Sequence, residues 1–292
     1  ASHMERRAIN APFSKLLNHD QKQALLLEHY DEISRRLEAA LKLTKLKIGI
    51  HTYDKRNPSA TRRPEVSIIT RPYGHQHLEA NPTPAFDPLC PFDIVECTAD
   101  RLLRARLGLE LERSGIHTAD NFPYSLPEGS VEVRAQVWFY FKHIRQAYAV
   151  SERMSNLGIS KESENLVWDM LLDTNLRSAQ SDTLRNFLHA FRTPPKEKSS
   201  LYFEARRLYQ DIADFVQSNR EKILSDFDFD RGRPSTILIE VRKDLVWHFE
   251  NGIPVAPNND NAQRIGRTLA NAVIRYLKED LIERDTILGH TV

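Results

Sequence analysis

Five prolines fall between residues 72 and 91, at positions 72, 82, 84, 88 and 91, with Pro64 shortly before them. A pyrrolidine ring fixes φ and removes a backbone donor, so this stretch cannot be helical and is expected as an extended surface segment. Everything regular must lie on either side of it. From Asp20 to Leu43, apolar residues at helical spacing (Leu25, Leu26, Ile33, Leu37, Leu41) predict one long amphipathic helix. Two short β-branched runs, 46–51 and 65–70, predict strands. The loop between them is basic, with Lys55, Arg56, Arg62 and Arg63. Beyond the prolines, 92–97 predicts a third strand and 99–114 a helix stopped by Gly115.

After Pro123 and Pro127 the pattern changes. Val133, Val137, Phe141, Ile144 and Tyr148 form a helical stripe that ends by Gly158. Further helices are predicted over 160–173, 181–191, 199–226, 234–250 and 260–285, punctuated by Pro194-Pro195, Gly232-Arg233-Pro234 and the stretch from Gly252 to Pro257. The expected fold class is therefore α+β. A small mixed α/β N-terminal domain over 5–125 is followed by an all-helical C-terminal bundle over 128–292.

Composition narrows the function classes. With 40% apolar and 28% charged residues, collagen-like and wholly disordered chains are excluded. No run approaches the roughly 18 apolar residues of a membrane helix, so a cytoplasmic protein without a membrane partner is expected. Cys90 and Cys97 are too few for a disulfide framework or a zinc site, and no metal or other cofactor is expected. The net charge of +1 hides an asymmetry: residues 1–72 hold 14 Lys and Arg against 8 Asp and Glu. A basic N-terminal third suits phosphate or an acidic partner.

The stretch Ile237 to Phe249 carries the most chemistry. Read as a helix beginning near Pro234, it places Leu238, Arg242, Leu245 and Phe249 on one stripe, with Val241 and His248 beside it. A guanidinium and an imidazole at the edge of a packing surface suit phosphate binding and proton transfer at neutral pH. Six residues separate them, about 9 Å of rise and about 120° of rotation, so one helix cannot bring both onto one small group. A second copy packed across a two-fold can.

Arg, five residues, then His in a C-terminal helical region resembles the HEPN family (higher eukaryotes and prokaryotes nucleotide-binding). The resemblance implies a helical bundle that forms a homodimer and a metal-independent endoribonuclease or RNA-binding site built from both protomers. In such a site Arg242 would stabilise the scissile phosphate, and His248 would move a proton while a ribose 2′-hydroxyl attacks. The alternative is non-catalytic: a helical interaction module attached to a basic domain that binds nucleic acid or a protein.

A third reading takes the same residues as a strand. Asp230, a gap, then Glu240-Val241-Arg242 resembles metal-dependent PD-(D/E)xK nucleases, which implies Mg²⁺ between Asp230 and Glu240. Elsewhere, His75 and His77, two apart with Glu79 following, put two imidazoles on one side of an extended segment, and a solvated polar turn accounts for them. Arg185 and His189 read as border residues of a helix. Arg56, Arg62, Arg63 and Arg71, interleaved with Tyr53 and Tyr73, are the candidate nucleic-acid contacts, the cations for the backbone and the rings for the bases.

Overall fold

The computed structural model describes residues 15–57, 59–71, 87–91, 98–127, 130–174, 178–228 and 233–280. In chain order its elements are α1 (His19–Leu25), a π-helical turn (Leu26–Tyr30), α2 (Asp31–Leu41), β1 (Leu46–Tyr53), β2 (Val66–Ile69), α3 (Arg101–Arg113) and β3 (Thr118–Asp120). Then follow α4 (Val131–Val150), α5 (Arg153–Leu157), α6 (Lys161–Leu172), α7 (Ala179–His189), α8 (Ser199–Ser218) and α9 (Arg220–Asp228). The chain finishes with β4 (Ser235–Arg242), α10 (Lys243–Val246), β5 (Trp247–Glu250), β6 (Ile253–Pro257), α11 (Asn259–Arg275) and a second π turn (Tyr276–Asp280). The fold is α+β. No helix of the described residues is long and apolar enough to cross a membrane.

The chain divides into two compact units. A helical unit takes Ala1–Lys45, Ala80–Val95 and Glu128–Pro234; a sheet unit takes Leu46–Glu79, Glu96–Pro127 and Ser235–Val292. The expected bundle over 128–292 thus ends at Pro234, where the chain returns to the sheet, and the N-terminal helix groups with the bundle rather than with the 5–125 domain. The expected helix over 234–250 is absent. Its first half is a strand, because Ile237, Ile239 and Val241 alternate at period two and fit a pleated surface better than a helical turn. The expected strand 92–97 lies outside the described residues.

In the helical unit, side-chain caps start the helices. Asn18 and Gln21 form a reciprocal capping box on α1, and Ser130, Ser160 and Ser178 accept from the backbone N–H groups of Val133, Ser163 and Ser181. Trp168 of α6 and Phe215 of α8 meet the Tyr148 ring of α4 at 6.1 and 5.4 Å, aromatic packing that makes this unit's centre.

The sheet unit holds four strands in the order β1-β4-β2-β3. β1 runs parallel to β4, β2 antiparallel to β4, and β3 parallel to β2. One face carries Val66, Ile68, Ile237, Ile239 and Val241 and packs on Leu103, Leu107 and Leu111 of α3 and Ile265, Leu269 and Ala272 of α11. The three leucines recur every four residues, so α3 buries one stripe. α3 ends where the sequence marks it: Gly115 has φ of 69°, and the Ile116 amide donates to the Leu111 carbonyl at 2.9 Å. The opposite face of β2 and β4 lies under residues 121–127, with the Ser67 hydroxyl donating to the Phe122 carbonyl at 2.5 Å and the Leu126 amide to the Thr70 carbonyl at 3.0 Å.

Leu107→Ala should lower unfolding free energy by about 2–5 kcal/mol, read from urea denaturation, because it opens a cavity between helix and sheet. Burial also raises the hydroxyl pKa of Tyr53, Tyr124, Tyr140, Tyr148, Tyr202 and Tyr209, with Glu240, Asp211 and Asp87 adding to the effect on Tyr124, Tyr148 and Tyr209. A phenol raised above its free value of 10.0 contributes stability that is complete below that pH and is lost as pH rises past it. Alkaline titration followed at 295 nm should therefore show these six tyrosines ionising together with unfolding.

Candidate nucleic-acid interface

β4 is buried along its whole length, and alternation puts Leu238, Glu240 and Arg242 on the face away from the helices. Register then sets the neighbours. Glu240 lies between His51 of β1 and Ser67 of β2, and Arg242 lies beside Tyr53. The Tyr124 hydroxyl donates to Glu240 Oε1, while Oε2 is buried without a hydrogen-bond partner among the described residues. Burial first, then the Glu240 carboxylate, holds the Tyr124 phenol protonated and able to donate. The Tyr53 hydroxyl donates to the Pro64 carbonyl at 2.8 Å.

At the end of β4 the chain ties down the basic loop that joins β1 to β2. Arg242 Nε donates to Asp244 Oδ1 at 2.6 Å, its Nη2 sits 3.8 Å from Glu65, and its backbone amide donates to the Glu65 carbonyl at 2.9 Å. Lys243 pairs with Asp54 at 3.0 Å and Lys55 with Asp244 at 3.5 Å. Within the loop Arg56 and Arg62 bridge, the Asn57 amide donates to the Thr61 carbonyl at 3.0 Å, and Arg56 Nη1 donates to the Ala60 carbonyl at 2.8 Å. Arg63 lies over the Tyr53 ring, 5.1 Å from its centre, and its Nε is buried with no hydrogen-bond partner among the described residues. Arg56 and Arg62 are exposed. Among the described residues, no carboxylate pairs with Arg56, Arg62 or Arg63.

These residues border a cleft of about 640 Å³ whose walls include Arg62, Arg63, His117, Phe122, Glu65 and Arg242. Arg242 already faces two carboxylates, so the available positive charge is that of Arg62 and Arg63. Phe122 is half-buried on the cleft, and Tyr124, two residues on, exposes 43% of its surface. The cleft joins open guanidinium charge to an aromatic wall.

Several expected placements change. Arg71 is 1% exposed and its Nη1 donates to the Leu126 carbonyl at 3.0 Å, so it is a core residue rather than part of the exposed loop. Arg242 and His248 do not lie on one helix. Arg242 closes β4 with 5% of its side chain exposed, and His248 is exposed on the β5–β6 ribbon opposite Ala256. Their proposed pairing around a phosphodiester loses its rod. The strand that the metal-nuclease resemblance requires is present, with Glu240 on it; Asp230 lies outside the described residues, as do Tyr73, His75, His77 and Glu79. Among the described residues, no three His, Cys, Asp or Glu side chains gather as a metal site. Arg185 turns inward, donating to the Met170 and Asp173 carbonyls at 2.8 and 2.9 Å.

The partners that sequence reasoning missed are Tyr124, Phe122 and His117. Tyr124 stands 116 residues before Glu240, and only the short prolyl stretch around it marked a turn. Comparison with protein-family models, curated proteins and solved structures finds no match for this chain.

Tyr124→Phe should cost about 1–3 kcal/mol, because it strips a buried carboxylate of its donor. In a Glu240→Leu background the same change should cost much less, a coupling that a double-mutant cycle in urea reads directly.

Proposed function

We propose that the sheet unit binds single-stranded RNA at the arginine cleft, with the phosphate backbone on Arg56, Arg62 and Arg63 and an unpaired base against Phe122 or Tyr124. The observation that carries this is the state of Arg63. Its Nε is removed from water, has no acceptor among the described residues, and belongs to a side chain on the wall of an open cleft. A buried donor without a partner is costly, and an anionic oxygen entering the cleft repays that cost. Arg62 beside it is exposed and meets no carboxylate among the described residues, so a second phosphate contact comes without breaking an ion pair there.

Single strands fit better than duplexes, because a stacking wall needs bases free of their partners. The rigid setting matters too. A loop tied to β4 by Lys243–Asp54 and Lys55–Asp244 presents its guanidiniums without first ordering a flexible chain, which lowers the entropic cost of binding. This reading retains the RNA ligand of the sequence expectation and assigns no cleavage chemistry to Arg242 or His248.

Fluorescence anisotropy with a labelled single-stranded RNA, repeated across a salt series, tests it. Replacing both Arg62 and Arg63 by Gln should weaken binding about tenfold or more and reduce the slope of log K against log salt by roughly 1.4, about 0.7 for each lost contact. Arg71→Gln is no test of contact, since that side chain is buried. Unchanged affinity and slope in the double variant would refute the assignment.

A further inference from the structure

We infer that the helical unit carries a second anion site, a lysine-lined cavity that takes a compact oligophosphate. The site is independent of the arginine cleft, which belongs to the other unit. It forms where the segment leaving α2 meets one face of α4. Residues 42–45 supply one wall; Phe139, Lys142, His143 and Gln146, spaced to share one helical face, supply the other. The space between them is half-open and about 380 Å³ in volume.

The charge around this cavity is one-sided. Lys42, Lys45 and Lys142 line it with His143, and no carboxylate does. None of the three lysines pairs with a carboxylate among the described residues. Three unneutralised ammoniums at one cavity repel one another, and a multivalent anion between them turns that repulsion into attraction. Two of them are already held in place. Lys42 Nζ stands 4.7 Å from the centre of the Trp138 ring, and Lys142 Nζ stands 5.4 Å from the same ring and 5.5 Å from Phe139. An ammonium resting on an aromatic ring keeps its charge while losing freedom, so less entropy remains to be lost when the anion arrives.

Chemistry and volume select the ligand. Ammoniums are compact donors without the planar fork that matches a carboxylate, and three around one centre suit the tetrahedral oxygens of linked phosphates. The Gln146 amide can add a hydrogen bond to a phosphate oxygen. Lys42 and Lys142 both approach the Trp138 ring, so that ring is engaged by cations rather than offered to a base. The phosphate chain is therefore the recognised element, whether it arrives free or as part of a nucleotide.

Titration calorimetry on the full chain, with sodium tripolyphosphate and with ATP in separate arms and no divalent cation, tests the proposal. Saturable one-to-one binding of tripolyphosphate is expected. Replacing Lys45 and Lys142 by Gln should raise its Kd about tenfold or more, as loss of charge-assisted contacts does. The Arg62→Gln, Arg63→Gln variant should bind it like the parent, which separates this site from the RNA cleft. Equal affinity for ATP would identify the phosphate chain as the whole ligand; affinity for ATP about tenfold tighter would identify a nucleotide, and both support the site. Absence of saturable heat with either compound, or a Kd unchanged in the lysine variant, would overturn it. Lys45→Gln alone, at an exposed position away from the Trp138 ring, supplies a second variant that leaves the helix packing intact.

Discussion

The pairing of β4 with strands on both of its sides organises the sheet unit. β1 and β2 share no backbone ladder; each pairs with β4, one parallel and one antiparallel. A strand buried on both faces and paired on both edges can leave no backbone group unmet, which is why all eight residues of β4 are inaccessible and why its core face is an alternation of Ile237, Ile239 and Val241. The longest piece of the helical unit, Glu128–Pro234, lies between β3 and β4, so the sheet is complete only once the chain has returned from it.

That same strand fixes the chemistry. Because β1 and β2 flank β4, the loop joining them passes the strand's C-terminal end, and residues 242–244 hold it there through Asp54, Lys55 and Glu65. Arg242 thus contributes by positioning. Its charge is spent on Asp244 and Glu65, leaving Arg62 and Arg63 as the groups able to meet an incoming phosphate. The two proposed anion sites rest on different physics. In the sheet unit a guanidinium Nε lacks an acceptor among the described residues; in the helical unit several ammoniums share one cavity.

Much of the architecture was legible in the sequence. The helices ending near Gly115 and Val150 bury apolar stripes, which write themselves at 3.6-residue spacing, whereas in the helical stretch ending near Leu41 the stripe residues Leu25, Ile33 and Leu37 are exposed. The first two strands were legible from their β-branched runs. β4 was not. Leu238, Arg242, Leu245 and Phe249 also fall three and four apart, and the partners that make residues 235–242 a strand lie some 170 to 190 residues earlier, beyond any local pattern. Misreading that element moved the domain boundary and put Arg242 and His248 on a shared helix. The basic loop was readable as a candidate interface, whereas Arg71, identical in type, is a buried group whose Nη1 donates to the Leu126 carbonyl. Burial of that kind depends on a fold that type and spacing do not encode.

Hydrogen exchange read by mass spectrometry on the full chain tests the role of β4 most directly. With partners on both edges, the amides of residues 236–241 should fall in the slowest-exchanging class of the protein, far slower than those of the two-stranded ribbon at 247–257. Exchange over 236–241 as fast as in that ribbon would contradict a central strand there, and with it the placement of the arginine loop.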